Sequence, residues 1–125
     1  MAENMTDYEE QKEKMAEVAM QIILHAGDAR ELVLKALDLA GEEKYEEAEK
    51  NLLEAKEELR QAHAAQTGIV QSEAAGTRYE YSLLFCHAQD TVMTIFAEMN
   101  IAKKVIALQK KTDEKIRNLA QRAGE

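Results

Sequence analysis

The sequence of 125 residues predicts an all-α protein built from three long helices. Three observations predict it. Proline is absent and glycine occurs only 5 times, so helix breakers are nearly missing. Ala, Leu, Glu, Lys, Gln and Met dominate, and these are strong helix formers. Apolar residues recur at spacings of three and four through three stretches, separated by breaks that contain Gly41 and Gly76. A chain of this length is expected to form one domain, 1–125, with a core of its own.

The first helix is expected over about residues 8–40. Met15, Ala19, Ile22, Ala26, Ala29 and Val33 lie along one face of it. Gly27 interrupts the stripe at a cost of about 1 kcal/mol relative to alanine, which predicts another backbone passing close by. Gly41 stands where a C-terminal cap is expected. The second helix is expected over about 45–72. Ala48, Leu52, Ala55, Leu59, Ala62 and Ile69 form its apolar face, and Glu46, Lys50, Glu54 and Glu57 its wet one. Gly76, with small and polar neighbours from Ser72 to Thr77, predicts a loop.

The third helix, expected over about 79–111, differs in kind. Between Ser82 and Ala102 only Asp90 and Glu98 carry charge, while Leu83, Phe85, Val92, Met93, Phe96 and Ile101 point in nearly every direction. A helix that is apolar all round is covered on more than one side. Two helices of the same chain cover only part of it, so the sequence predicts an oligomer. Residues 112–125 are largely polar, with three bases and three acids, and they either prolong this helix or fray.

The net charge is −8 but unevenly placed. Acids outnumber bases at the N-terminus and along the second helix, and bases outnumber acids beyond residue 103. An acidic body argues against a nucleic-acid partner, and the basic end reads as a solvated helix terminus. The single cysteine, Cys86, excludes an internal disulfide. No stretch approaches the roughly 20 apolar residues of a membrane span, and the acidic N-terminus is unlike a signal peptide. The expectation is a soluble cytoplasmic protein without direct membrane insertion.

Neither a glycine-rich phosphate loop nor a paired-cysteine metal motif is present. Each helix carries one histidine: His25, His63 and His87. None has a glutamate three residues before it, which sets aside a di-iron bundle site and leaves a mononuclear three-histidine site as an alternative. His87 and Asp90 are i,i+3 neighbours, and Thr94 lies one turn further on. An imidazole, a carboxylate and a hydroxyl thus line up on an otherwise apolar helix. The pattern reads either as a reactive site or as a polar network that fixes helix register. His25 reads as a surface or capping histidine and Cys86 as a small buried hydrophobe.

Three stretches carry a family resemblance. His87-Ala88-Gln89-Asp90, followed by Val92-Met93-Thr94, resembles the phosphorylation motif of the IIA component of the lactose/cellobiose phosphotransferase family. Ile22-Ile23-Leu24-His25-Ala26-Gly27-Asp28-Ala29-Arg30 is similar to that family's first-helix signature, and Ala62-His63-Ala64-Ala65-Gln66-Thr67 to its second. The resemblance spans about Ala19 to Leu108, in the expected order. It implies an antiparallel three-helix bundle per chain and a homotrimer, a nine-helix bundle. It also implies a phosphotransferase component with a phosphohistidine intermediate. His87 accepts a phosphoryl group from HPr and passes it to a cysteine of the IIB component, for uptake of a β-glucoside, cellobiose or lactose type sugar. By the same resemblance Asp90 lies near the trimer axis, where three copies hold Mg2+. From its position alone, Gln89 reads either as a hydrogen-bond donor to the phosphate or as a residue facing the neighbouring helix, and His63 either as a residue near the active face or as a polar core or rim residue.

Elementary chemistry fits those roles. Imidazole, with an ordinary pKa of about 6.5, is a competent nucleophile near neutral pH. Phosphoryl transfer needs mostly positioning and charge compensation. Ser82–Ala102 holds no Lys or Arg, which predicts a carrier whose partner proteins supply part of that compensation. A lone carboxylate in an apolar helix is costly unless it is coordinated, protonated or hydrogen-bonded, here to Thr94 or His87. Magnesium favours octahedral oxygen ligation completed by water. Two residues depart from the family pattern: Thr91 stands where many relatives have a second histidine, and Cys86 where an aliphatic residue is usual. The stretch after Lys111 runs past the typical family end. The competing reading is a non-enzymatic helical-bundle interaction protein whose apolar third helix serves assembly alone.

Overall fold

A computed structural model describes residues 2–125, with side chains from Asp7 onward. It contains α1 (Ala2–Gly41), α2 (Tyr45–Ala74) and α3 (Leu83–Gly124), and no strand among the described residues. Cross-helix pairs fix the directions. Only residues 42–44 separate α1 from α2, and His25 meets Glu58 midway along both, so α1 and α2 run antiparallel. Tyr8 meets Glu80, Arg30 meets Glu98 and Glu43 meets Arg117, so α3 returns alongside α1 in the same direction. α1 lies between the other two helices, which touch each other least.

The core follows the periodicity. Met15, Ala19, Ile22, Ala26, Ala29 and Val33 are buried on α1. Ala48, Leu52, Ala55, Leu59, Ala62 and Ile69 are buried on α2. The frequent alanines of α1 let two helices approach it closely, and Ile22, Leu59, Val92, Ile95 and Met99 fill the space that remains. No helix among the described residues is long and apolar enough to cross a membrane.

The helix ends differ from the sequence expectation. α3 starts at Leu83 rather than near residue 79 because Ser82, in extended conformation, caps it: its hydroxyl accepts the Phe85 N–H at 3.1 Å. Tyr79 belongs to the connection instead, and its hydroxyl donates to Ser72 Oγ at 2.9 Å. Gly76, at φ 112, closes α2: Gly76 N–H donates to the Glu73 carbonyl and Thr77 N–H to that of Ser72, each at 3.0 Å. The equivalent residue after α1 is Glu43 rather than Gly41. Glu43 has φ 64, its N–H donates to the Ala40 carbonyl at 3.0 Å, and the Lys44 N–H reaches that of Leu39 at 2.9 Å. A left-handed glutamate costs about 1 kcal/mol, which the surrounding structure absorbs. Gly27 is exposed, and a Cβ added there meets nothing within 4 Å, so no backbone of the described chain passes close to it.

Residues 112–124 continue α3 as helix and do not fray. The Tyr45 hydroxyl donates to the Asp113 carboxylate, and Arg117 Nη2 donates to Glu43 Oε2 at 2.9 Å. Burial, then the hydrogen bond and charge of Asp113, push the Tyr45 phenol up to about 12. The sign follows from linkage. A phenol whose folded pKa lies above its ordinary value of 10 stabilises the fold fully below pH 10, and that contribution is lost as pH rises through about 12. Tyr45 is therefore expected to ionise at higher pH than a solvated tyrosine. Phenolate absorbance in wild type minus Tyr45→Phe checks this, and a difference titration centred near 10 contradicts it.

Candidate functional site

The inward stripe of α3, Phe85, Ala88, Val92, Ile95, Met99 and Ala102, is buried. The fork between Arg30 and Glu98 fixes the rotation of the helix about that stripe: Arg30 Nε and Nη2 donate to the two carboxylate oxygens at 3.0 and 2.7 Å. The same hydrogen bonds hold the Glu98 carboxyl below its ordinary range, against the opposing effect of burial. With the inward stripe pinned, the opposite stripe faces out.

That outward stripe carries the candidate residues. His87, Asp90 and Thr94 are all exposed on it. Leu83 and Ile101 bracket them along the same line, 72% and 64% exposed, and Met93 lies beside them at 56%. Among the described residues neither the His87 ring nor the Asp90 carboxylate enters a hydrogen bond or ion pair. The intrachain polar network considered from the sequence is thus not formed: Thr94 and His87 do not hold Asp90. Thr91 turns its hydroxyl back onto the His87 carbonyl at 2.8 Å, which occupies it within the helix.

The remaining sequence candidates lie elsewhere. Gln89 is half-buried and lines a crevice between the end of α2 and the start of α3, with Val70, Glu73 and Cys86. It is two residues from His87, so the two side chains point to different sides of the helix. Cys86 is half-buried at the same crevice rather than fully buried. His63 is exposed on α2. His25 is neither a cap nor a free surface residue. Its Nδ1 lies 2.6 Å from Glu58 Oε2, and the half-buried pair clips α1 to α2. No three His, Cys, Asp or Glu side chains group as a metal site among the described residues, so the three histidines do not form one.

Sequence reasoning missed the cover at the N-terminal end of α3. Tyr8 O–H donates to Glu80 Oε2 at 3.1 Å, and Gln11 Nε2 donates to the Arg78 carbonyl at 2.9 Å. The first turns of α1 thereby hold the connection that leads into Ser82 and sets where His87 stands. The signal was faint: three of four tyrosines, Tyr8, Tyr79 and Tyr81, gather there, but no periodicity links residues so far apart.

Asp90 fits a shared metal in one respect. One chain offers a single unpartnered carboxylate on an outward, largely apolar stripe, which is a weak ligand set by itself. Copies of that stripe facing one another would bring several carboxylates together, and oxygen donors of this kind suit magnesium.

The lactose/cellobiose-specific IIA subunit of the phosphotransferase system matches residues 17–110, which include all three helices' central parts and the His87–Thr94 stripe. The chain belongs to this family. It is 40% identical over 102 residues to the lichenan-specific phosphotransferase enzyme IIA component of Bacillus subtilis, across 82% of this chain and 93% of that protein. The cellobiose-specific enzyme IIA of Bacillus anthracis superposes with a TM-score of 0.76 at 38% identity, over 79% of this chain and 91% of the other. A IIA(chitobiose)–HPr complex from the N,N'-diacetylchitobiose branch of the Escherichia coli system gives a TM-score of 0.71 at 28% identity, over 79% and 96%. This IIA chain is accordingly a sugar phosphotransferase component, and its three-helix architecture is that of its solved relatives. Its tail beyond residue 110 lies outside the family match.

Proposed function

We propose that this IIA subunit carries a phosphoryl group on His87, taking it from HPr and delivering it to a cysteine of a IIB component during uptake of a β-glucoside, cellobiose or lactose type sugar. The observation that carries the reading is the exposed His87 ring on the outward stripe, inside the segment that matches the family. A nitrogen lone pair of the ring attacks the phosphorus of the donor, and the donor's own histidine leaves. The reverse geometry, with a thiolate attacking, hands the group on. The helix start at Leu83, one turn away, adds only a modest positive potential, and Ser82–Ala102 holds no Lys or Arg. Weak stabilisation of the bound group suits a carrier, because a tight cationic clamp would slow its release. The solved relative in complex with HPr supports that donor.

The reading includes assembly. The exposed Leu83, Met93 and Ile101 form an apolar stripe that a homotrimer would cover, with α3 helices at the centre and Asp90 of each chain contributing to a Mg2+ site. When bound, the ion would offset the mutual repulsion of those carboxylates. His63, exposed on α2, enters as a polar neighbour of the phosphate site, whereas Gln89, turned to another side of its own helix than His87, could serve only a phosphate carried by a neighbouring copy.

Incubation with HPr, the first enzyme of the pathway and phosphoenolpyruvate tests the carrier. The expected product is an acid-labile, base-stable phosphate that peptide mapping assigns to His87, and a chain that gains none favours the interaction-module reading. For the metal, chelation is expected to weaken wild-type assembly, whereas Asp90→Asn chains no longer respond to chelator. Sedimentation with and without Mg2+ checks both, and a wild-type assembly indifferent to chelation counts against the shared ion.

A further inference from the structure

The tail of α3 uses one side for its own chain and leaves the other open. Lys110 faces Glu49 at 3.9 Å, Asp113 accepts from Tyr45, and Arg117 bonds Glu43, so residues 110, 113 and 117 form the side turned toward the α1–α2 end. The opposite side carries Ile101, Val105, Leu108, Thr112, Ile116 and Leu119, at spacings of four, three, four, four and three. The spacing keeps them on one line of an α-helix. Leu108, Ile116 and Leu119 are 63%, 58% and 63% exposed, as far uncovered as Ile101 at 64%. Residues 103–125 hold seven cations, yet none falls on this line. Lys104, Lys111, Lys115 and Arg122 run beside it instead, with no ion pair among the described residues.

We infer that residues 111–124 are an assembly extension: their apolar line packs against the same line of other copies of this chain and prolongs the α3 seam beyond the family's bundle. The inference rests on the proposed assembly through the outward stripe of α3. Three observations select another copy as the occupant. The line is continuous with the stripe of Leu83, Asp90 and Ile101, so copies that meet there are already parallel and in register further along. The cations stay on the flank, where they remain solvated when the line is covered. A helical end projecting past its last intrachain side-chain hydrogen bond among the described residues, here that of Arg117, is marginal in water unless its apolar side is covered. A spacing near 3.67 residues per turn, as in Leu108 to Leu119 and Val105 to Ile116, suits nearly straight packed helices.

The test compares three full-length chains, wild type, Ile116→Lys/Leu119→Lys and Lys115→Ala/Arg122→Ala, and one chain ending at Lys110, by sedimentation across a dilution series, with circular dichroism and HPr-dependent labelling on each. Wild type and the flank variant are expected to stay assembled to similar dilution. The seam variant and the shortened chain are expected to dissociate at concentrations at least ~100-fold higher, the order that losing burial of two aliphatic side chains per chain implies. All four are expected to remain helical and to be labelled. Equal assembly in all four overturns the role of the tail and leaves the shared α3 interface standing. A wild type that is monomeric throughout overturns that interface itself. Binding of wild type, but not of the seam variant, to phosphatidylglycerol vesicles without any change in assembly overturns the choice of occupant in favour of a lipid surface.

Discussion

His87→Gln is expected to abolish HPr-dependent phosphorylation while leaving the fold intact. The amide of glutamine keeps size and hydrogen-bonding capacity but has no nucleophilic ring nitrogen, so the covalent intermediate cannot form. The loss is therefore one of kind, to the background of an unlabelled chain. Stability is expected to move by no more than about 0.5 kcal/mol, since the side chain is exposed and makes no hydrogen bond or ion pair among the described residues. Thermal melts and labelling on the same samples separate the two effects. Residual base-stable phosphate in His87→Gln would transfer the acceptor role to another residue. His25 is a poor substitute because Glu58 already occupies its Nδ1 and places an anion where phosphate would sit. His63→Gln, by contrast, is expected to retain labelling, because its place in the reading is beside the phosphate and not bonded to it.

How far the sequence reached depends on what each feature needed. The inward stripes were legible because periodicity is a local signal: Ala19, Ile22, Ala26 and Leu59, Ala62 stand where a spacing of three and four puts them, and all are buried. His87, Asp90 and Thr94 share an exposed face for the same reason. The caps were less legible. Gly41 is indeed the last residue of α1, yet the left-handed cap falls two residues later at Glu43, where the Glu43 and Lys44 N–H groups reach the Ala40 and Leu39 carbonyls. The start of α3 was placed too early because Tyr79, Glu80 and Tyr81 include no helix breaker, whereas Ser82 caps the helix in the structure. The tail past Lys111 was illegible because its anchors, Tyr45 to Asp113 and Glu43 to Arg117, join residues about seventy positions apart. The His25–Glu58 clip was hidden likewise, since a histidine on a mixed face gives no hint of a carboxylate on another helix. Gln89 was legible only in part: it stands two residues from His87, yet within the chain the helix turns its side chain toward the crevice between α2 and α3.

Leu59→Ala is expected to cost about 2–5 kcal/mol of folding stability, the range for removing a buried leucine side chain and leaving a partly unfilled cavity. Leu59 is wholly buried on α2, in the common core of the three helices. Its neighbours in the stripe are alanines, Ala55 and Ala62, which are too small to move into the space. Leu53→Ala, six residues away and 67% exposed, is expected to change stability by less than about 0.5 kcal/mol and serves as the matched control. The effect should reach the carrier face only through folding. α2 touches α3 little and acts through α1, which both helices share. His87 lies on the far side of α3 from that contact. At low temperature Leu59→Ala is thus expected to be labelled fully by HPr, and labelling should fall on warming in step with the folded fraction measured by circular dichroism. Labelling lost at a temperature where the variant is still folded would mean that α2 shapes the His87 environment directly. In that case the packing of α1 and α3 alone does not position the acceptor.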